Sequence, residues 1–270
     1  MIRNLHLNKN GKDKRNTLFL ILGGIFITNA ILAELIGVKI FSLEAILGFE
    51  PAQIRLFKEF TLDFNLTAGA LIWPVVFITT DIINEYFGKQ GVRIVTFLAS
   101  ALIAYAFLVI FAVTRLTPAQ FWLDVNSVDP EGNLFDINFA FNTVYTQGMG
   151  IIIGSLTAFL LAQFLDVYIF QKLRKLTGSK MLWLRATGST LISQLLDSFV
   201  VLFISFYIFG KWSIAQVLAV GIINYMYKFT VAIVLTPLLY AAHYLIDGYL
   251  GKEVAGQMTS DASDTSNGFF

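Results

Sequence analysis

Charge and cysteine are what this sequence has least of. Charged residues fill 14% of its 270 positions, 19 Lys and Arg against 18 Asp and Glu, and Cys is absent. An ordinary soluble domain carries roughly 25% charged residues, so this chain cannot clothe itself in a normal hydrated surface. A disordered chain is excluded for the opposite reason, being polar and highly charged. Without Cys there is no disulfide framework, haem-attachment motif or thiolate metal site. Two His leave no His-rich metal site, so neither metal nor cofactor is expected. A net charge of +1 gives no footprint for nucleic acid. GxxxxGK[ST], GxGxxG, HExxH and GxSxG are also missing. That removes the ATPase, dinucleotide, zinc-protease and serine-hydrolase signatures and argues against an enzyme.

What is there is apolar: hydrophobic residues make up 56% of the chain and its mean hydropathy is +0.70. A membrane-spanning helix needs about 20 mainly apolar residues. Six stretches qualify: Leu18–Phe41, Leu66–Gly88, Val92–Thr114, Gly148–Phe170, Ala186–Phe209 and Ile214–Leu245. The expected fold class is therefore an all-α integral membrane protein with six transmembrane helices. The first stretch follows a basic leader but exceeds the 7–15 apolar residues of a signal-peptide core and has no clear A-x-A site after it. It reads as a retained span.

Lys and Arg set the orientation. With the N-terminus in the cytoplasm, Arg3, Lys9, Lys12, Lys14, Arg15, Lys89, Arg93, Lys172, Arg174, Lys175, Lys180, Arg185 and Lys252 fall inside, whereas Arg55, Lys58, Arg115 and Lys211 fall outside. Both termini are thus expected in the cytoplasm. Residues 1–17 form the basic leader, 18–246 the six-helix transmembrane domain, and 247–270, rich in Ser, Thr and Asp, a disordered cytoplasmic tail. The outside loop 42–65 reads as a short strand or an interfacial helix. The loop 115–147, with Asp124, Asp129, Glu131 and Asp136, reads as a solvated loop; a Ca²⁺ site is the alternative, without EF-hand spacing.

A charge at mid-bilayer costs about 2.5–3.5 kcal/mol even on the lenient insertion scale. Such groups therefore face the bundle interior. The first span carries Asn29, Glu34 and Lys39; the second Trp73-Pro74, then Asp81, Asn84 and Glu85 on one helical face. The fourth carries Gln163 and Asp166, the fifth a stripe of Thr190, Gln194 and Asp197, and the sixth Asn224, Tyr225, Tyr227 and Lys228. The third is almost wholly apolar and reads as a packing helix. Glu85, Asp166, Arg185 and Lys39 lie near span ends, where a topological role competes with a functional one. An Asp197–Lys228 pair also has a purely structural reading. Pro74 is expected to remove a backbone hydrogen bond within its helix, either freeing a carbonyl toward a cavity or kinking the rod.

The stretches FITNAILAELIGVKIF (26–41) and LTAGALIWPVVFITTDIINEYFGKQGVR (66–93) resemble the vitamin-uptake transporter family, whose members carry queuosine precursors. The shared pattern falls on Asn29, Lys39, Pro74, Asp81, Asn84, Glu85, Gly88 and Arg93. It continues through AQFLDVYIFQKLR (162–174), LRATGSTLISQLLDSFVVLFISF (184–206) and NYMYKF (224–229). The resemblance implies a six-helix inner-membrane protein importing 7-cyano-7-deazaguanine or 7-aminomethyl-7-deazaguanine for queuosine salvage in tRNA. Alternatives are a substrate-capture subunit needing an energising partner, or a carrier of another vitamin-like nucleobase compound.

A deazaguanine presents N1–H and an exocyclic NH₂ on one edge, donors that carboxylates accept. Its flat face suits aromatic stacking, for which Trp73, Tyr225 and Tyr227 are candidates. The expected substrate-binding set is Asn29, Asp81, Asn84, Glu85, Gln163, Gln194, Asp197, Asn224 and Lys228. Pro74, Arg93, Asp166, Arg174 and Arg185 are expected to serve structure or topology. The expected partners are a small 7-deazaguanine and the lipid bilayer, with no nucleic acid.

Overall fold

The structure, a computed structural model, describes residues 9–37, 39–56, 60–146, 149–177, 181–208 and 212–264. Most of the chain is helical. The first helix, α1 (Lys9–Ile36), already includes the end of the basic leader. A small outer-loop module follows: β1 (Ile40–Ser42), α2 (Leu43–Leu47), β2 (Ile54–Leu56), β3 (Phe60–Leu62) and β4 (Asn65–Thr67). Strand β1 pairs antiparallel with β4, and β2 with β3, so the two hairpins are nested. The long helices are α3 (Trp73–Val113), α6 (Met149–Thr177), α7 (Leu182–Leu202) and α8 (Ile214–Leu250); the loop between α3 and α6 holds α4 (Gln120–Val125) and α5 (Ile137–Thr146), and α9 (Lys252–Asp264) ends the described chain.

Five helical elements are long and apolar enough to cross a membrane. The second and third stretches of the sequence have merged into the single 41-residue α3. At 1.5 Å per residue a straight α3 would be about 60 Å long, twice the hydrocarbon thickness. It is not straight. Gly88 sits at φ 67°, ψ −170°, a region open essentially to Gly alone. Trp73, near the start of α3, and Phe107 and Ile110, near its end, line one cavity. A continuous rod would hold Trp73 and Ile110 about 55 Å apart. The chain therefore doubles back at Gly88.

Pro74 is the second residue of α3 rather than an interior one. In the first helical turn the missing N–H has no intrahelical acceptor to lose, so no carbonyl is freed there and no kink results. The proline inside a long helix is Pro237, in α8. Helix α8 starts on a capping box, Gln216 N–H donating to Ser213 Oγ and Ser213 N–H to Gln216 Oε1. Helix α7 ends in a π-helical turn, Phe203–Ile208, against which α6 lies so closely that a Cβ at Gly154 would fall 2.2 Å from Ser205 Oγ.

Helix α1 packs on α3, α6 on α7, and α7 on α8. Phe26, Ile83, Ile103 and Phe170 are buried where these faces meet. Leu20, Leu108, Ile153 and Val234 are exposed on the outer faces. A continuous apolar outside of this kind requires lipid rather than water.

The tail departs from expectation. Where disorder is expected, residues 252–264 form α9; residues 265–270 lie outside the description. Ala255, Met258 and Ala262 recur at helical spacing and are buried, Met258 at 1% exposure. That stripe supplies an apolar face, which α9 lays against α3. A Cβ at Gly88 would lie 3.1 Å from the Ala262 carbonyl oxygen.

The loop module is held by one carboxylate. Glu44 accepts from the N–H groups of Phe64 (2.8 Å) and Ala52 (3.2 Å) and from Ser42 Oγ (3.0 Å). The Phe64 bond above all holds its carboxyl below the usual glutamate range. In the loop after α3, Asp129 accepts from the Asn133 side chain and from the N–H groups of Asn133 and Glu131. The Asn133 side-chain bond leads in holding that carboxyl low.

Candidate functional site

Two adjoining cavities lie between the long helices. The wide one measures about 160 Å³ and the narrow one about 40 Å³. Ala70, Trp73, Tyr227 and Lys228 line both and form the neck between them.

The stripe on α7 and the polar pair on α8 run along this double cavity. Gln194 and Thr190 face the narrow compartment together with Asp81 from α3 and Thr187 from α7. Asp197, one turn along the same α7 face, lines the wide compartment with Asn224. Lys228 donates to Asp197 Oδ2 at 2.5 Å. Glu34 of α1 and Ser155 of α6 also line the wide compartment. Ser155 Oγ donates to Glu34 Oε1 at 2.5 Å. Trp73 is stacked on Phe77, with centroids 5.7 Å apart, and tilted against Phe159.

The narrow compartment has one chemical peculiarity. Gln194 is 1% exposed, yet neither its Nε2 nor its Oε1 has a hydrogen-bond partner. Asp81, 6% exposed, has an unpartnered Oδ1. A buried polar group left unpaired costs about 1–3 kcal/mol. Three such atoms belong to two residues that line one compartment.

The other candidates that the sequence offers lie elsewhere in the structure. Asn29 donates to the Ile25 carbonyl of its own helix at 2.8 Å. Gln163 donates to Thr80 Oγ1 at 2.7 Å. Asn84 accepts from Gln171 Nε2 at 2.6 Å. Glu85 takes a two-pronged bond from Arg185, Nη2 to Oε1 at 2.6 Å and Nε to Oε2 at 3.2 Å. Arg174 stands 3.6 Å from the same carboxylate and donates to the Glu85 carbonyl at 3.1 Å. Its Nη2 also reaches the Thr259 carbonyl of α9. Asp166 accepts from Ser193 Oγ at 3.1 Å. Glu85, Gln171, Arg174 and Arg185 thereby join α3, α6, α7 and α9 at the Gly88 end. Arg93 is exposed and lies over the Phe97 ring, 5.7 Å from its centroid.

So the structure brings Asp81, Gln194, Asp197, Asn224 and Lys228 to the double cavity. It keeps Asn29, Asn84, Glu85 and Gln163 off its walls. Glu34 and Ser155 join the site, although neither belongs to the expected set. Glu34 is visible in sequence as an intramembrane charge; nothing in sequence pairs it with Ser155, 121 positions away. A further cluster at the Gly88 end has no signal in the sequence: the Tyr86 hydroxyl donates to Asp247 Oδ1 at 2.6 Å and lies 3.0 Å from His243 Nδ1. Among the described residues, no group of three or more His, Cys, Asp or Glu is placed to hold a metal ion.

Residues 67–242 match the family model described as "Putative vitamin uptake transporter". The chain is 31% identical over 201 residues to a "Probable queuosine precursor transporter" of Bacillus subtilis (strain 168), spanning 72% of this chain and 80% of that protein. It is 27% identical over 177 residues to a protein of the same name in Haemophilus influenzae, spanning 64% and 66% of the two chains. It is 28% identical over 174 residues to the "Queuosine precursor transporter" of Escherichia coli (strain K12), spanning 64% and 70%. No solved structure matches the chain.

Proposed function

Since the chain belongs to the vitamin uptake transporter family, and is a multi-pass membrane transporter rather than an enzyme, we propose that its cargo is a queuosine precursor of the 7-deazaguanine class. The relatives' names point to that cargo, and the double cavity supplies the chemistry to read it. The observation that carries the reading is the set of unpaired polar atoms on Asp81 and Gln194. Asp81 accepts from the N1–H and NH₂ edge of the base, and Gln194 meets the O6 edge with its amide. Trp73 and Tyr227, at the neck, offer ring faces, worth about 1–3 kcal/mol per stacked base. Asp197, Asn224 and Lys228 contact the part of the cargo that extends into the wide compartment. The cavity is smaller than the roughly 300–1,000 Å³ sites of drug-sized ligands, in keeping with a single fused-ring base.

In the same reading the chain makes six crossings of the cell inner membrane, with both termini in the cytoplasm. The reversal at Gly88 supports it by making two passes of α3. The concentration of Lys and Arg at the Gly88 end supports that end as the cytoplasmic one. The sequence holds no GxxxxGK[ST] motif, so transport runs on a gradient, by facilitation, or with a separate energising subunit.

The test is rescue. In a cell that cannot synthesise deazaguanine precursors and is fed them, this chain restores queuosine in tRNA. Asp81→Asn and Gln194→Leu, each present in the membrane at the wild-type level, both lose that rescue. If both variants restore queuosine as well as wild type, the site assignment falls.

A further inference from the structure

Within the proposed cargo class, the two types of arm on C7, a nitrile and an aminomethyl group, differ in charge. The wide compartment bears on that difference. Its charged lining is two carboxylates and one ammonium: Glu34, Asp197 and Lys228. Lys228 is committed to Asp197 at 2.5 Å. Glu34 has only the neutral Ser155 hydroxyl; among the described residues no cation pairs with it. Glu34 and Asp197 line this same compartment, so both carboxylates can act on a shared guest. The compartment thus keeps an excess of one negative charge when its carboxylates are ionised. In a low-dielectric setting that excess favours a cationic guest, which in turn favours the ionised carboxylate.

The second observation is the guest's orientation. Gln194, almost fully buried and unpartnered, and Asp81 mark the narrow compartment as the one that takes the hydrogen-bonding edge of the ring. In a 7-deazaguanine the N1–H and NH₂ donors are on the six-membered ring and the C7 substituent projects from the five-membered ring, beyond O6. A base seated with that edge on Asp81 and Gln194 and its face at the Trp73–Tyr227 neck sends the C7 arm into the wide compartment.

From these two features we infer that Glu34, with Asp197 beside it, forms a subsite for a primary ammonium on the cargo's arm, so that the chain selects the aminomethyl base over the nitrile. The inference rests on the deazaguanine reading above. A nitrile can accept from the neutral donors Asn224 and Tyr227 on the same lining, or from Lys228 by drawing it from Asp197, and in either case it leaves Glu34 without a partner of opposite charge. An ammonium needs no such rearrangement: it donates to Glu34 and to the free oxygen of Asp197.

The experiment measures the affinity of the purified full-length protein, in detergent, for 7-aminomethyl-7-deazaguanine and for 7-cyano-7-deazaguanine. The aminomethyl base is expected to bind roughly tenfold tighter or better, the scale of one charge-assisted hydrogen bond. In Glu34→Gln the ratio of the two affinities is expected to fall to near one. Glu34→Asp, which retracts the carboxylate by one methylene, lowers the ratio partway and serves if the Gln variant does not fold. Equal affinities in wild type, or a ratio unchanged in a folded Glu34 variant, overturn the subsite and leave the deazaguanine reading standing. Binding of neither base overturns both.

Discussion

The Gly88 end and the double cavity use the same residue types to opposite ends. At the Gly88 end, Glu85 is gripped by Arg185 and approached by Arg174, and the amide of Gln171 donates across a helix boundary to Asn84. Farther along the same helices, Gln194 makes no bond with either amide atom and Asp81 leaves an oxygen idle. The difference separates holding from receiving. Single atoms are unpartnered at the Gly88 end too, on Asn84, Gln171 and His243, but each of those side chains joins a neighbour through its other polar atom, whereas Gln194 joins none.

The contrast can be broken first at Arg185. Removing one partner of a buried ion pair costs about 3–5 kcal/mol, because the other charge is stranded. Arg185→Met should lower the melting temperature in detergent sharply, and adding Glu85→Gln should recover part of the loss. A single variant as stable as wild type would mean the pair is not what closes that end. Next comes Gly88→Ala. A side chain at φ 67°, ψ −170° and 3.1 Å from the Ala262 carbonyl is strained by about 1–3 kcal/mol, so the variant should melt earlier and expose α9 to protease first. If it melts with the wild type, the reversal of α3 does not depend on that conformation.

Gln194→Leu should behave the opposite way. No bond is lost, so stability should change by less than about 1 kcal/mol or rise, while queuosine rescue falls by tenfold or more. A variant that loses stability and keeps transport would move Gln194 to the holding side of the comparison. The smallest effect lies in the outer loops. Glu44 has its carboxyl held low by the Phe64, Ala52 and Ser42 donors, so its contribution is present above the ordinary glutamate pKa, about 4.3, and fades as the pH falls through the lower folded value. Amide protection factors at Phe64 and Ala52 should drop on acidification, with transmembrane amides unaffected. Constant protection down to pH 3 would show that the loop module does not hang on this carboxylate.

Much of the fold is legible in the sequence, and the boundary is instructive. Apolar run length locates the spans, since about 20 residues must cross whatever they pack against. The α7 stripe of Thr190, Gln194 and Asp197 reads as one face because helical periodicity is local. Which polar groups are already spoken for does not. Glu85 and Arg185 are 100 positions apart, and only the packing of α3 on α6 and α7 decides that Glu85 is paired and Gln194 is not. Pro74 reads as an interior residue because LTAGALIWPV is mainly apolar; β4 and a 3₁₀ turn over Ala68–Leu71 shift the helix start onto the proline, where prolines sit well. Helix α9 has a signal in Ala255, Met258 and Ala262, but composition hides it: the Ser, Thr and Asp between them form its wet face.

One contact made by the first long helix has a bearing on parity. Lys14 Nζ, near the start of α1, donates to the Tyr249 carbonyl, near the end of α8, at 2.8 Å, and lies over that tyrosine's ring. A chain that threads a slab an odd number of times leaves its ends on opposite faces, about 30 Å apart across the hydrocarbon. Two residues in hydrogen-bond contact share a face. Whichever compartment Lys14 meets, Tyr249 meets too, so an impermeant label that reaches one should reach the other, and a single label is enough to orient the whole bundle.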